Sequence, residues 1–456
     1  MKKLVALLLS LCLCLTASLA LGETVLKLGI YPEDVDTAAI QAHDFYISEF
    51  AKLMPDVTVE KAHYKYAVDT FVAMAEAGTV PTVFETWFTE PQKLIKGGFV
   101  ADITDELNEL GWTDKMNPTI KSLLSDANGR IYGVPRDGYA LGLMINAEVF
   151  ADAGLVDENG IPLYPKTWDE LAQTAVKIKK ATGSAGICLL AKDNAGGWHF
   201  SNIAWCFGAN LESQNADGKW VAELNTPEAV AAMQYVKDLK WKYDVLTADP
   251  TSEDWGTGFT QLGTGAAAMY IGANDAVAQP TTNNGLAVDK LMMVGIPAGP
   301  GGQYSLFGGT PYMFAANATP DQIKAALTYL EVMGKAPVLS DTAKAGLIED
   351  AKARQANGTP VINEFPSWTD ADLIAARQAI VAEYSNVDSR MFQNYFDTVA
   401  KEGNLRMEVP QNAQEMYAEL TKVLQAVVTD QNADVQALLD TANANFQQVL
   451  DEQANK

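Results

Sequence analysis

The chain has 456 residues, with 33 Lys and Arg against 57 Asp and Glu and a formal charge of −24. That length is enough for about two or three domains, and 48% hydrophobic residues supply large cores. So acidic a chain is repelled by nucleic-acid phosphates and by anionic membrane, which argues against both as partners, while the charge itself reads as solubility.

The first 22 residues read as a signal peptide. Lys2 and Lys3 form a basic start, residues 4–15 an apolar stretch, and Ala20-Leu21-Gly22 a cleavage site of small residues, with Ser18-Leu19-Ala20 competing. No later stretch is long and apolar enough to span a membrane, so an exported protein is expected. Cys12 follows Leu11 and Cys14 follows Leu13. Neither has the small residue that precedes a lipidated cysteine, so the expected location is periplasmic or extracellular without a lipid anchor. Cys188 and Cys206 remain, each inside an apolar run. Two buried thiols are the plain reading and a bridge the alternative. His43, His63 and His199 are scattered without ligand spacing, so no metal and no cofactor is expected.

In chain order, residues 24–30 alternate as a strand and end in the loop 31–36, which carries Tyr31 and Asp34. Ligands gather at such strand ends in open α/β sheets. A helix over 37–53, a strand over 57–60 and a helix over 67–77 closed by Gly78 continue a βαβ pattern. A strand over 80–87 brings Glu85 and Trp87 to its end. Asn128-Gly129 is a turn. Residues 131–135 are a short strand stopped by Pro135, and Arg136-Asp137-Gly138-Tyr139 has the composition of a crossing between two lobes. Asn146 then caps a helix over 147–153 ended by Gly154.

Thr167 caps a helix over 168–182, with Glu170 completing a capping box. A strand over 186–190 leads to the loop 191–202, where Gly196-Gly197 precedes Trp198 and His199. Trp255 sits just before a helix over 258–262. Residues 263–272 are a small-residue strand followed by Asn274 and Asp275. A strand over 291–297 is expected back in the first lobe. Residues 310–316 read as a third crossing, with Gly309 and Tyr312 near the cleft, and Thr319-Pro320 opens a helix. Beyond Gly334 the chain reads as mostly helical.

Several of these pieces occur in a familiar order: Tyr132-Gly133-Val134-Pro135, then Asn146, Phe150, Gly154-Leu155, Pro165-Lys166-Thr167-Trp168-Asp169-Glu170-Leu171, and Gly265-Ala-Ala-Ala-Met269. The sequence thereby resembles the extracellular solute-binding proteins of ABC importers, closest to the sugar-binding family 1 typified by maltose-binding protein. Thr82 stands where the family has Asp, and Asn274-Asp275 where several sugar binders have a tryptophan. The resemblance implies an α/β, two-lobed clamshell with three interlobe crossings and a helical C-terminal region. On it, lobe 1 spans 23–136 and 273–312, and lobe 2 spans 139–271 and 315–456. It also implies a monomeric receptor that delivers a small solute to ABC permease membrane subunits.

Trp87, Trp198 and Trp255 favour a sugar, because aromatic faces stack on apolar C–H faces of sugar rings. Glu85, Asp137 and Asp275 would instead suit a polyamine, a metal ion or another small cationic solute, as similar proteins carry. The same carboxylates could flank a glycosidic bond in a secreted enzyme. Carboxylates are abundant here, however, and no nucleophile elbow, phosphate loop or zinc signature accompanies them. A non-catalytic receptor is therefore expected.

Overall fold

The computed structural model describes residues 24–33 and 37–456. The signal segment and Asp34 lie outside the described residues. Strands β1 (Thr24–Leu28), β2 (Val57–Lys61) and β3 (Val83–Glu85) form the first part of a sheet, β1 pairing in parallel with both others. Helix α1 (Thr37–Leu53) makes the crossover between β1 and β2. β4 (Gly133–Asn146) is long because two lobes share it. Gly133 and Val134 belong at its first end, where Val134 is buried with Leu26, Phe71, Phe84 and Phe314. Ala140 to Ile145 at its other end are buried in a second core with Trp168, Trp205, Phe259 and Tyr270.

In the second lobe, α2 (Trp168–Thr182) begins at Thr167, whose hydroxyl accepts from the Glu170 amide at 3.1 Å. The Glu170 carboxylate reaches the Lys166 amide at 2.7 Å instead of that of Thr167, so the expected box closes one residue early. α3 (Asp193–Phe207) replaces the loop expected over 191–202. Gly196 and Gly197 are not turn residues but contact residues: a Cβ at Gly197 would lie 2.3 Å from the Tyr417 carbonyl oxygen. Their missing side chains let α3 press against the C-terminal helix that carries Tyr417. Strands β5 (Leu211–Gln214) and β6 (Trp220–Glu223) form a separate hairpin.

β7 (Met269–Ala273) and β8 (Leu291–Val294) both pair antiparallel with the second half of β4. Leu291 to Val294 are therefore buried in the second core, not back in the first lobe as expected. β9 (Ser305–Phe314) runs from Leu306 in the second core to Tyr312, Met313 and Phe314 in the first, and β10 (Leu405–Met407) pairs with its start. The return crossing thus lies near 307–311 rather than at 271–273.

α4 (Pro320–Val332) buries Ile323, Leu327 and Leu330 in the first core, where Trp368 and Leu373 also pack, although everything from 315 onward was expected in the second lobe. Ile362 and Phe365 touch the second core, buried side chains rejoin it from Met391, and α5 (Ala413–Thr429) and α6 (Val435–Gln453) complete it. Among the described residues it thus passes between the two cores three times. The helical spacing of Ile323, Leu327 and Leu330 fixes which side of α4 is apolar but not which core receives it.

Cys188 and Cys206 are free and buried. Glu212 in β5 is buried as well. One carboxyl oxygen accepts from the Gln411 amide at 2.9 Å, and the other has no partner. Burial raises its pKa to about 8. An acid raised in the folded state binds more protons folded than unfolded, so the folded state loses stability as pH rises from about 4.5 to about 8. Glu212→Gln keeps the acceptor and removes the ionisation. We expect it to match the parent at pH 5 and to exceed it at pH 9 by on the order of 2–4 kcal/mol, read from urea midpoints at the two pH values.

Candidate functional site

The crossing is a two-stranded ribbon, because β4 and β9 stay paired from Gly133↔Met313 to Ala140↔Phe307. Pro135 faces Pro311. The Pro311 carbonyl accepts from the Thr86 amide at 3.3 Å, so its backbone faces β3 and the two prolines occupy a pair of the β4–β9 ladder that needs no N–H. Immediately after, the register shifts between Pro135 and Asp137, which leaves Arg136 as the extra residue of a bulge. A bulge re-aims a side chain out of the pleat. Here it sends the guanidinium to Glu85 at 3.2 Å, Asp137 at 2.8 Å and Asp275 at 4.0 Å. The approach to Asp137 is an ion pair without an aligned hydrogen bond, since Arg136 Nε and Asp137 Oδ1 are both left unpartnered. Glu85 comes from the first lobe and Asp275 from the turn after β7 in the second, so one cation ties both lobes to the crossing.

Arg136, Glu85 and Asp275 keep 28%, 33% and 27% of their side chains accessible, Asp137 only 13%, so solvent weakens these pairs without removing them. Although burial opposes it, the Asp137 and Glu85 carboxylates hold the Arg136 charge firmly in place. Loss of solvent and then the Asp137 charge raise the Asp275 carboxyl to about 7, against the pull of Arg136. Tyr312 pairs with Glu85 across the ladder and is fully buried. Gly309 contributes shape: a Cβ there would lie 2.4 Å from the Phe88 ring.

Next along β4, Tyr139 meets Trp198 edge-on, ring centroids 6.2 Å apart. Trp198 lies half-buried, with Trp255 edge-on at 5.2 Å and His199 stacked at 5.2 Å. His199 is buried with both ring nitrogens unpartnered, and burial lowers its pKa to about 3, so it is a neutral backing ring. The structure therefore brings Tyr139, Trp198, His199 and Trp255 into one aromatic cluster beside the Arg136 group. Tyr139 joins the two sets: burial, then Glu408, Asp275 and Asp137, push its hydroxyl pKa up.

Trp87 stands on the first-lobe side, 39% exposed, with Tyr66 edge-on at 5.5 Å. Tyr66 donates to the buried Glu90 at 2.7 Å. Across from it, Glu408 accepts from Tyr417 at 3.0 Å, and its carboxyl is raised to about 7 by burial, against hydrogen bonds from Tyr417 and Trp198. The lobes also meet directly, through Gln414 Nε2 donating to Thr89 Oγ1 at 3.2 Å and through Lys93 and Glu415 at 3.6 Å.

Two expected site residues serve other partners. Tyr31 donates to Asp44 at 3.0 Å and accepts from Lys61 at 3.1 Å, in a separate cluster with His63. Asn274 is 2% exposed, and its carbonyl accepts from the Ala140 amide at 3.0 Å and from Tyr395 at 3.1 Å. Glu90, Glu408 and Gln414, which stand beside these groups, were not among the expected site residues. Glu408 lies two residues before Pro410, in an acidic chain where one more carboxylate gives no signal.

Behind the ribbon, a cavity of about 150 Å³ opens from Arg136 and Asp137 toward Glu364, Phe365, Arg354 and Arg377. Although burial opposes it, Lys335, Arg377, Arg354 and Arg136 together hold the Glu364 carboxyl below the usual range. The tryptophans Trp87, Trp198 and Trp255 are not on its wall. Among the described residues, no group of three or more His, Cys, Asp or Glu could hold a metal ion.

The family model for the bacterial extracellular solute-binding protein matches residues 37–337. The chain belongs to that family. A curated relative, the sn-glycerol-3-phosphate-binding periplasmic protein UgpB of Yersinia pestis, is 24% identical over 213 residues, 44% of this chain and 46% of the relative. The chain spans about half the length of the curated relatives it matches.

Among solved structures, a Thermotoga lettingae ABC transporter solute-binding protein bound with alpha-D-tagatose superposes with TM-score 0.71 at 17% identity, over 94% of this chain and 100% of that one. UgpB of Mycobacterium tuberculosis with glycerophosphocholine gives 0.71 at 17%, over 95% and 99%. Maltose-bound MalE3 of T. maritima gives 0.66 at 20%, over 93% and 99%. These likenesses establish the α/β periplasmic-binding-protein fold along nearly the whole chain.

Replacing Arg136 by Gln leaves Glu85, Asp137 and Asp275 unmatched at the crossing. The loss of stability is expected to be on the order of 1–2 kcal/mol at pH 8. It should be smaller at pH 5, where Asp275 is protonated. Thermal unfolding of parent and variant at both pH values checks this.

Proposed function

We propose that this protein is the extracytoplasmic receptor of an ABC importer and takes up a carbohydrate between its lobes. The observation that carries the reading is the half-buried Trp198, backed by His199 and Trp255 and flanked by Tyr139, beside the polar set of Glu85, Arg136 and Asp137. An indole held by rings behind it offers a fixed face to sugar C–H groups, and adjoining charged groups bond hydroxyls. Trp87 on the other lobe supplies a second ring. Solute held by both lobes favours the closed arrangement, because a ligand shifts an equilibrium by its differential affinity. That closed form is what the permease would receive. The chain turns nothing over in this account.

Binding of sugars by the tagatose- and maltose-bound structures supports the reading by analogy of fold. The glycerol phosphate named for the Yersinia relatives fits less well. The Arg136 guanidinium is already surrounded by three carboxylates, and a phosphate would have to displace them.

Intrinsic tryptophan fluorescence, titrated with neutral sugars, sugar acids, sn-glycerol 3-phosphate and polyamines, tests the proposal. A saturable response to a sugar is expected, with affinity at least tenfold weaker in Trp198→Ala. A response confined to glycerol phosphate or to polyamines contradicts it.

A further inference from the structure

Helix α3, which carries Trp198, begins without a cap of its own. Lys192 at its start makes no side-chain hydrogen bond to the first turn, and Asp193 sits in the left-handed region at φ 49°. The start is held from outside, by one edge of α5. Asn194 Nδ2 donates to the Gln414 carbonyl at 3.1 Å and to Gln414 Oε1 at 3.0 Å. The Gly197 amide donates to Thr421 Oγ1 at 2.8 Å, and Gln425 donates to the Ala191 carbonyl at 2.9 Å. Gln414, Thr421 and Gln425 are spaced to share one face of α5.

Chemistry fixes how Gln414 is turned. A backbone carbonyl only accepts, so Asn194 presents its NH2 to α5 and Gln414 answers with its side-chain oxygen. The Gln414 NH2 is thereby directed at Thr89 Oγ1 of the first lobe, 3.2 Å away. Thr89 gives its single proton to Glu90 Oε1 at 3.2 Å, so toward Gln414 it accepts. The other Glu90 oxygen accepts from Tyr66 at 2.7 Å, and the Tyr66 ring meets Trp87 edge-on. One side-chain amide therefore joins two chains of contacts. The first runs from Trp87 through Tyr66, Glu90 and Thr89. The second runs through Asn194 to the turn that precedes Trp198. The neighbouring Lys93–Glu415 pair is part-exposed and screened by solvent, so it fixes less.

We infer that Gln414 is a positioning residue for solute capture, the link through which lobe closure sets the place of Trp198. This rests on the reading above, in which Trp198 and Trp87 meet the solute from the two lobes. Apart, the lobes leave Gln414 Nε2 without Thr89, and the start of α3 keeps only its second-lobe anchors. Closed, Gln414 is held at both ends and the uncapped turn before Trp198 is held with it. Closure and the placing of the stacking ring are then one event, carried by a continuous set of hydrogen bonds.

Hydrogen–deuterium exchange of the full chain without solute tests this. The amides over 194–198 are expected to exchange about two- to tenfold faster in Gln414→Ala, as the loss of a hydrogen bond predicts. Thr89→Val changes the other lobe, yet it is expected to quicken the same amides about twofold or more, while Thr89→Ser keeps the parent rate. Both changes break one bond, so the double variant should exchange no faster than Gln414→Ala alone. Helix α2 is the internal reference and should be unchanged throughout. Thr89→Val without effect overturns the inference whatever Gln414→Ala does, because Gln414 is then only a bond within the second lobe. Effects that multiply in the double variant, or a quickening that spreads to α2, overturn it as well. None of these results touches the carbohydrate reading, which the fluorescence titration decides separately.

Discussion

The two cores are joined by a paired ribbon, and the rest of the molecule depends on how that ribbon is interrupted. A continuous ladder from Gly133 to Asn146 would hold the lobes as one stiff sheet. Pro135 and Pro311 meet at a pair that exchanges no ladder hydrogen bonds, and the bulge at Arg136 adds a residue to one strand only. The ribbon keeps its pairing on both sides, so the lobes stay in register while the ladder is irregular between them. Bending there requires few hydrogen bonds to be broken, which is the property a clamshell needs.

The same bulge places the chemistry. Arg136 is out of the pleat because the register shifts, and from that position its guanidinium reaches carboxylates of both lobes. One step further along β4, Tyr139 touches the aromatic cluster built on α3. Hinge and candidate binding surface are thus consecutive residues of one strand. Motion at the ribbon would move Glu85 relative to Asp275 and Trp87 relative to Trp198, so in the proposed receptor solute capture and lobe closure act on the same few side chains.

Much of this was legible in the sequence, where local chemistry decides. Asn146 accepts from the Glu148 and Val149 amides, and Thr319 caps α4 through its side-chain oxygen. Pro135 was read as the stop of a short strand before a loop at 136–139, but β4 runs through it from Gly133 to Asn146, because its pair with Pro311 needs no N–H. What failed was what local pattern does not encode. Strand periodicity could not tell that Leu291 to Val294 pair with the far half of β4. Gly196-Gly197 had the signature of a loop, and only the approach of Tyr417 explains why a helix uses it. Tyr31 and Asn274 were read as ligand contacts from their positions, but their hydrogen bonds go to Asp44, Ala140 and Tyr395. Glu408 was illegible for the opposite reason: its role comes from facing the first lobe, across a distance in sequence that no motif spans.

The most direct test is the distance between the lobes at Lys93 and Glu415, whose side chains meet at 3.6 Å. Spin labels on Lys93→Cys and Glu415→Cys read it by pulsed electron paramagnetic resonance, Cys188 and Cys206 being buried. A hinge at the Pro135–Pro311 rung predicts a broad, longer distribution without sugar that collapses to one short distance when sugar binds. Identical distributions in both conditions would contradict it, and the ribbon would then be a rigid strut.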